Sequence, residues 1–321
     1  MEYAFIVNPA SGNGKNAAKL REELEPYSEK ENVRIYCTEG EKDATVLAAS
    51  IAEAAARRGE TVNIYACGGD GTIQETAKGI YHHPNARLGV IPVGSGNDFV
   101  RCFEDSEAFL NIGKQMEAGK KPTEELKQVD LLEYVWEENG EEITDYAING
   151  INIGFDGNTA ILAHDLKELP LVQGSGSYLL AVLINLIRKK GTNLKVTAEG
   201  KAIYDGPLIL CTAANGRFCG GGVESCPHAL LDNGKIELLL IKNITRRYFL
   251  KVFPAFKEGK LEEIPGVEKY ITPMQCNEVI LEPNAGKMKF VADGEIRETG
   301  TIRVRVIPGA IPVIEPDGKR L

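Results

Sequence analysis

Three glycine-rich turns, each placed directly after a short apolar run, most constrain the fold of this chain. The central turn, residues 66–72, reads Ala-Cys-Gly-Gly-Asp-Gly-Thr and is followed by a helix-like run. The first turn spans residues 8–15 and the third spans residues 94–99. Strands that alternate with helices predict a parallel sheet, in which the loops at the carboxyl ends of the strands meet at one edge. The sequence therefore predicts an α/β domain in which the three turns converge.

The converging turns predict a binding site for nucleotide phosphates. Glycine lets the backbone turn sharply and lets a ligand approach it closely, and a helix that starts after such a turn presents backbone N–H groups to an anion. The first turn is not a Walker A loop, which requires the pattern G-x-x-x-x-G-K-[ST]; read alone, it is equally compatible with an ordinary strand–helix turn. The polar side chains predicted at this edge are Asn8, Ser11, Asp70, Thr72, Ser95 and Asn97.

Asp70 is the one acidic residue inside the central turn. A bare carboxylate repels phosphate unless a metal ion or a hydroxyl group that gives up its proton lies between them. The sequence therefore predicts that either Mg²⁺ or the hydroxyl group of an acceptor substrate lies close to Asp70.

The charge balance argues against nucleic acid as the partner. The 321 residues include 37 Lys and Arg against 46 Asp and Glu, a formal charge of −9, whereas nucleic-acid binding depends mainly on basic side chains that neutralise phosphates. The seven scattered cysteines contain no C-x-x-C pair and predict reduced thiols. The sequence shows no signal peptide and no apolar run long enough to span a bilayer, which predicts a cytoplasmic protein.

The second half of the chain has a different pattern, with many short strand-like runs separated by polar, Gly or Pro turns. This pattern is typical of an antiparallel sandwich or barrel. The predicted domains are residues 1–125 together with about 308–321, and residues 126–307. Helices are predicted over residues 16–27, 44–58 (capped by Asp43 or a neighbour), 165–169, 178–190 and 246–256.

The three turns and their order resemble the catalytic domain of the diacylglycerol kinase family. The resemblance is closer to the bacterial lipid kinases of the diacylglycerol kinase, sphingosine kinase and YegS-like group, and it covers nearly the whole chain. NAD kinases share the central turn but not the motifs of the second half. The motifs that carry the resemblance are Asn8-Pro9-x-Ser11-Gly12, Gly68-Gly69-Asp70-Gly71-Thr72, Gly94-Ser95-Gly96-Asn97-Asp98-Phe99, Asn152-Ile153-Gly154-Phe155-Asp156, Asn215-Gly216-Arg217-Phe218, Gly220-Gly221-Gly222, Leu231-Asp232-Asn233-Gly234-Lys235 and Asp293-Gly294-Glu295.

The resemblance implies a fold, a set of cofactors and a nucleotide site. The implied fold is a phosphofructokinase-like, NAD-kinase-like α/β nucleotide-binding domain followed by a β-sandwich-like domain, with the active site in the cleft between them. The implied cofactors are ATP and Mg²⁺. The residues that the resemblance assigns to the nucleotide are Asn8, Pro9, Ala10, Ser11, Gly12, Thr38, Cys67, Gly68, Gly69, Asp70, Gly71, Thr72, Ile73, Ser95 and Asn97.

The resemblance also implies catalytic residues and a structural metal site. The glutamate of the Asp-Gly-Glu motif is the family's proton acceptor, so catalysis is assigned to Glu295, Asp293 and Asp70. The residues alone leave open which of Asp293 and Glu295 is the base, and without the resemblance a solvated β-turn is the simpler interpretation of this motif. The implied structural Mg²⁺ site consists of Leu230, Asp232, Asn233 and Lys235, with Asn233 at the position where the family usually has aspartate.

The predicted function is ATP-dependent phosphorylation of a lipid hydroxyl, with diacylglycerol as the acceptor and phosphatidic acid as the product. The alternatives are phosphorylation of phosphatidylglycerol, a sphingoid base or NAD, and a nucleotide-sensing module without catalysis. The candidates for contact with the inner membrane surface are residues 169–172 and residues 178–187, which the basic residues 188–190 follow. A core helix with a basic C-terminal end is the simpler interpretation of the second run. The oligomeric state, monomer or homodimer, is left open.

Overall fold

The chain divides into two compact units. The computed structural model describes residues 1–29, 32–154 and 191–317. Unit 1 comprises Met1–Asp130 and Gly309–Leu321, and unit 2 comprises Leu131–Pro308. Two strands, β5 (Lys127–Glu138) and β15 (Ile302–Val313), begin in one unit and end in the other.

Unit 1 is built on a parallel sheet with the strand order β2-β1-β3-β4. The end of β15 extends this sheet, since Val313 pairs with Leu88 in parallel register. Every residue of β3 and β4 is buried, which is expected of parallel strands covered by helices on both faces. The strands are β1 (Glu2–Val7), β2 (Val33–Cys37), β3 (Val62–Gly68) and β4 (Ala86–Pro92).

The helices of unit 1 place their apolar faces on this sheet. On one face, Leu20 and Leu24 of α1 pack with Phe5 and Tyr65. The helices α2 and α3 pack against each other and against the strands β1, β3 and β4. The helices are α1 (Lys15–Ser28), α2 (Asp43–Arg57), α3 (Asp70–Ile80) and α4 (Ile112–Ala118).

The start of α2 differs from the prediction that Asp43 or a neighbour caps it. The N-cap residue is Lys42, which has a φ of +65° and makes no side-chain cap. Glu75 of α3 accepts hydrogen bonds from the backbone N–H groups of Lys42 (3.0 Å) and Ala44 (3.2 Å). Asp43 instead accepts a hydrogen bond from the N–H of Glu39 at 2.8 Å. The prediction of a cap from Asp43 or a neighbour is wrong, because the Glu75 carboxylate of α3 accepts hydrogen bonds from these N–H groups instead.

Unit 2 is built from antiparallel strands. Its main path has the order β14-β13-β7-β9-β8-β12-β15, with β10 paired to β9 and β11, and with β6 paired to β5. The strands not yet given are β6 (Glu141–Ala147), β7 (Gly150–Gly154), β8 (Thr192–Ala198), β9 (Lys201–Ala214), β10 (Ile236–Lys242), β11 (Ile271–Cys276), β12 (Glu278–Pro283), β13 (Met288–Ala292) and β14 (Glu295–Thr299).

Two apolar clusters stabilise unit 2. In one, the rings of Tyr134 and Trp136 stack with centroids 5.4 Å apart, and Phe290 meets both of them edge-on. In the other, Phe249 and Val252 of α5 (Arg246–Lys257) are buried with apolar residues of β9, β10 and β11. Burial of large aromatic side chains supplies much of the apolar stabilisation of a unit of this size.

The α/β architecture of unit 1 and the antiparallel strands of unit 2 confirm the predicted fold class. The helices predicted over residues 165–169 and 178–190 lie outside the described residues. Within the described ranges, no helix is long and apolar enough to cross a membrane.

Replacing Gly79 with alanine tests the close packing of α3 on α2. A Cβ at Gly79 would lie 2.4 Å from the carbonyl oxygen of Thr45 and 2.8 Å from the Cβ of Ala48. Although alanine favours an isolated helix over glycine, we expect Gly79→Ala to lower the free energy of unfolding by about 1–3 kcal/mol through overpacking. The measurement is urea unfolding followed by circular dichroism. Gly71→Ala in the same helix, where a Cβ meets nothing within 4 Å, is the matched control; equal stability of the two variants would contradict the prediction.

Candidate active site

The second and third glycine-rich turns are in direct contact. A Cβ on Gly94 would lie 2.4 Å from the Cα of Gly69, so the two backbones approach to a distance that only glycine permits. The carbonyl of Gly68 accepts hydrogen bonds from the N–H groups of Val93 (3.0 Å) and Gly94 (3.2 Å). These contacts fix the third turn against the end of β3.

The first turn is joined to both of the others. The side-chain amide of Asn8 donates a hydrogen bond to the hydroxyl of Thr72 at 3.1 Å, which connects it to the second turn. A Cβ on Gly12, whose φ is +59°, would lie 2.6 Å from the carbonyl oxygen of Val93 next to the third turn. The structure therefore brings the three turns together at one edge of the sheet, as their sequence pattern predicts.

The N-terminus of α3 opens at this edge. Its N-cap, Gly69, has no side chain, so no side chain caps the N–H groups of the first helical turn. Asp70 accepts a hydrogen bond at Oδ1 from the N–H of Phe99 at 3.1 Å. In the described parts of the chain, no hydrogen bond engages Oδ2 of Asp70. The first turn of α3 thus offers amide donors to an anion, and Asp70 keeps one oxygen for a cation or a water molecule.

The remaining residues assigned to the nucleotide differ in how they can contribute. Cys67 and Ile73 are fully buried, and burial raises the pKa of the Cys67 thiol, so their side chains support the turn from inside. Thr38 is nearly buried at the end of β2, whereas Ser95 is exposed. Asn97 has a φ of +56°, and its side-chain amide donates to the carbonyl of Gly94 at 3.1 Å. Asn97 therefore shapes the third turn.

In unit 2, the carboxylate of Asp293 receives three consecutive backbone N–H groups. Oδ2 accepts from Ile148 at 2.6 Å and Oδ1 accepts from Gly150 at 2.7 Å. The N–H between them, that of Asn149, lies 3.1 Å from Oδ1 and 3.2 Å from Oδ2. Both oxygens of Asp293 are therefore occupied by the backbone of the loop between β6 and β7.

The loop between β6 and β7 also binds the Asn215-Gly216-Arg217-Phe218 motif. The carbonyl of Asn149 accepts hydrogen bonds from the N–H groups of Asn215 and Gly216, each at 2.9 Å. The side-chain amide of Asn149 donates to the carbonyl of Phe218 at 2.7 Å, and that of Asn215 donates to the carbonyl of Ile148 at 2.8 Å. These bonds and those of Asp293 join residues 148–150, residues 215–218 and Asp293 into one network, named here the Asp293 network.

Glu295, the first residue of β14, lies next to this network. Its side chain is about a quarter exposed and forms an ion pair with Arg297 on the same strand. On the buried side, Tyr134 donates a hydrogen bond to Oδ2 of Asp145 at 3.1 Å. Burial raises the pKa of Tyr134, and the nearby carboxylates of Asp145 and Glu295 raise it further, so this phenol stays protonated. Of the two acidic residues in the motif, Asp293 thus binds three backbone N–H groups, whereas Glu295 is partly exposed and paired with Arg297.

Comparison with known proteins identifies both halves of the chain. The diacylglycerol kinase catalytic domain matches residues 2–133, and the YegS C-terminal NAD kinase beta sandwich-like domain matches residues 149–315. The second match alone spans more than half of the chain. The chain belongs to the YegS-like and diacylglycerol kinase-related family of lipid kinases. It is therefore a phosphotransferase, and the use of ATP follows from the family.

Individual relatives of this lipid kinase are similar over most of their length. A "Probable lipid kinase YegS-like" of Yersinia enterocolitica is 28% identical over 266 residues, covering 81% of this chain and 80% of the relative. The "Diacylglycerol kinase" of Bacillus subtilis is 28% identical over 297 residues, covering 91% and 88%. A diacylglycerol kinase crystal structure from Bacillus anthracis strain Sterne, 20% identical, has the same fold with a TM-score of 0.66 and covers 98% of this chain and 96% of that chain.

The loop assigned to a structural Mg²⁺ has few metal-binding side chains in this lipid kinase. Asp232 is its only carboxylate; the side-chain oxygen of Asn233 accepts a hydrogen bond from the N–H of Lys235 at 3.0 Å. The ammonium group of Lys235 donates to the side chain of Asn277 at 2.9 Å, and the side chain of Leu230 is exposed. No group of three His, Cys, Asp or Glu side chains that could hold a metal ion occurs in residues 1–29, 32–154 and 191–317. Asp232 is thus the one anionic side-chain donor among residues 230–235, and the structural Mg²⁺ site at this loop stays a prediction.

Asn149 is the functional residue that sequence reasoning missed. The sequence predicts a strand over residues 143–149, whereas in the structure β6 ends at Ala147 and Asn149 lies in the turn before β7. The Asn-Gly dipeptide at residues 149–150 is a strong turn signal and was the available indication. No local sequence pattern predicts its hydrogen bonds to Asp293 and Phe218, because these partners are 144 and 69 residues away along the chain.

We expect Asp293→Asn to destabilise the enzyme far more than a change at Glu295. Asparagine tolerates the φ of +47° at this position, but its side chain replaces one charged acceptor with an amide donor and leaves backbone N–H groups unpaired. The expected loss in free energy of unfolding is about 3 kcal/mol, measured by urea unfolding. Glu298→Gln, an exposed acidic position on β14, is the control. A loss below roughly 0.5 kcal/mol for Asp293→Asn would contradict the structural role of this carboxylate.

Proposed function

We propose that this lipid kinase transfers the γ-phosphoryl group of ATP to the free hydroxyl of diacylglycerol and releases phosphatidic acid and ADP. The observation that carries the proposal is the arrangement of the Asp-Gly-Glu motif, where Asp293 holds three backbone N–H groups and Glu295 is partly exposed beside Arg297. The choice of diacylglycerol rests on the similarity to the diacylglycerol kinase of Bacillus subtilis, which extends over most of both chains.

The three glycine-rich turns are proposed to bind the phosphates of ATP. Backbone N–H groups of the first turn of α3 donate to the phosphate oxygens, and the positive end of the α3 dipole offsets their charge. Ser11 and Ser95 add hydroxyl donors at the same edge. Phosphoryl transfer depends mainly on such positioning and charge neutralisation. Mg²⁺ bound to ATP would supply further neutralisation of the β- and γ-phosphates, and Asp70 Oδ2 is the oxygen of this chain that would hold it.

Glu295 is proposed as the proton acceptor. As the acceptor oxygen bonds to the γ-phosphorus, the bond from that phosphorus to the bridging oxygen of ADP breaks, and the hydroxyl proton moves to the Glu295 carboxylate. The pKa of an alcohol lies far above 7, so a positioned carboxylate lowers the barrier when this proton leaves. Arg297 orients the Glu295 side chain, and the Asp293 network fixes the backbone from which it projects.

The acceptor is tested directly with a panel of lipids. Purified enzyme is incubated with ATP, Mg²⁺ and mixed micelles that contain diacylglycerol, phosphatidylglycerol or a sphingoid base, with NAD as a soluble arm. Labelled phosphate is expected to enter phosphatidic acid in the diacylglycerol arm. Faster transfer to another lipid would reassign the acceptor, and NAD phosphorylation would reassign the enzyme to a soluble acceptor. ATP binding without transfer in any arm would support a nucleotide-sensing module.

Glu295→Gln is expected to lower kcat by about 10²–10⁴-fold, because glutamine cannot accept the hydroxyl proton. Its free energy of unfolding should stay within about 0.5 kcal/mol of the wild-type value, since its side chain is partly exposed and glutamine keeps an oxygen for Arg297. Glu298→Gln, on the same strand and exposed, should retain wild-type kcat. Near-normal kcat for Glu295→Gln in the assay with the best acceptor would remove this residue from the mechanism.

A further inference from the structure

The exposed side of α5 combines basic and apolar side chains. Arg247, Leu250, Lys251, Pro254 and Lys257 are all exposed, and their spacing of three and four residues places them on one side of the helix. We name this set the α5 basic face. Leu250 is 53% exposed, one of few large apolar side chains with that exposure, and Arg247 and Lys251 flank it.

The region around α5 is positively charged, whereas the whole protein carries a net negative charge. The segment from residue 242 to residue 260 contains six Lys and Arg residues and one acidic residue, in a chain with a formal charge of −9. That acidic residue, Glu258, forms an ion pair with Lys260 at 3.1 Å. Among the described residues, no ion pair involves Arg247, Lys251 or Lys257. The α5 basic face therefore presents a local positive potential that internal carboxylates do not neutralise.

The opposite side of α5 is fully used by the fold. Phe249 and Val252 are buried in unit 2, and Tyr248, Phe253 and Phe256 pack partly against the same cluster. The helix begins with a side-chain cap, in which the hydroxyl of Thr245 accepts from the N–H of Tyr248 at 3.2 Å. Since the inner side holds the helix firmly on its strands, the basic face is a preformed surface and needs no folding step on contact with a partner.

The C-terminal end of α5 is connected to the Asp293 network through two contacts. The carbonyl of Lys257 accepts a hydrogen bond from the N–H of Glu224 at 3.0 Å, and the Glu224 carboxylate lies 3.7 Å from the guanidinium of Arg217. Arg217 precedes Phe218, whose carbonyl is held by Asn149. A surface contact made by α5 is thus anchored to the loop that supports the proposed catalytic motif.

We propose that the α5 basic face docks on an anionic lipid surface and brings unit 2 to the membrane. The inference rests on the proposed function, since a kinase of diacylglycerol must reach a substrate that resides in a bilayer. The positive potential complements a negatively charged leaflet, to which each Lys or Arg adds binding. Leu250 and Pro254, placed among the basic residues, suit the boundary between headgroups and acyl chains, where an apolar side chain is stabilised. Such a surface binds reversibly and weakens as salt rises.

The test compares vesicle binding of the wild-type enzyme with that of Arg247→Glu/Lys251→Glu. Vesicles of phosphatidylcholine with about one-third phosphatidylglycerol are compared with pure phosphatidylcholine vesicles by flotation, in the absence of ATP. We expect the wild type to bind only the anionic vesicles, and the variant to bind them at least about tenfold more weakly. Lys201→Glu/Lys287→Glu, which changes the same charge at exposed positions at the start of β9 and just before β13, should bind like the wild type, as should Arg247→Lys/Lys251→Arg.

Activity assays separate failure of docking from failure of the proposed function. With diacylglycerol in anionic vesicles, Arg247→Glu/Lys251→Glu should lose activity in step with binding, whereas with a short-chain diacylglycerol dispersed as monomers it should match the wild type. If wild type is inactive on both forms, the acceptor proposal fails, while flotation still decides the docking. Equal flotation of wild type and variant would overturn the docking proposal. Binding of the wild type to a soluble polyanion but not to vesicles would also overturn it, by assigning the face to a macromolecular polyanion.

Discussion

The second unit depends on one carboxylate that receives three successive backbone N–H groups. A charged acceptor of this kind makes stronger hydrogen bonds than a neutral one, and Asp293 uses both oxygens to hold residues 148–150. Asn149 in turn forms hydrogen bonds with residues 215–218 through its carbonyl and its side-chain amide. Three motifs that lie far apart in the chain become one rigid framework, because each hydrogen bond fixes a backbone that another motif also uses. Asp293 can therefore be essential without touching a substrate.

The first unit also joins distant segments, but it does so through glycines rather than through a charged side chain. Its three turns can approach closely because Gly94 packs on Gly69 and Gly12 packs on the carbonyl of Val93, at distances that no Cβ allows. A few polar bonds, such as that of Asn8 to Thr72, then fix the arrangement. The N-terminus of α3 at this edge has no side-chain cap, and the proposed phosphate site uses the N–H groups of its first turn. A site built with large side chains in these positions would fill the space that the ligand requires.

The contrast between glycine-rich turns in unit 1 and long-range hydrogen bonds in unit 2 explains how much of the structure the sequence could predict. The glycine-rich turns and their convergence followed from local pattern and from the topology of parallel sheets, so the fold class and the arrangement of the first-unit loops were predictable. The cap of α2 by Glu75 and the partners of Asp293 were not, because each joins segments that are distant along the chain. Propensity identifies a residue that is suited to capping, but a tertiary contact decides which carboxylate reaches the N–H groups.

The proposed roles of Asp293 and Glu295 give a physical reason for two acidic residues so close together in a phosphotransferase. A proton acceptor needs a carboxylate with lone pairs that face the substrate. A carboxylate that organises the backbone uses its lone pairs to accept hydrogen bonds from N–H groups. The two tasks are therefore assigned to two side chains. The left-handed backbone at Asp293 and the following Gly294 turns the chain sharply, so that Glu295 starts the next strand with its side chain paired to Arg297. Because neither proposed role requires a contact that is specific to a lipid, we expect surfaces outside the motif to select the acceptor. The proposed docking of the α5 basic face, which Glu224 joins to the same framework, would bring unit 2 to a substrate held in a bilayer.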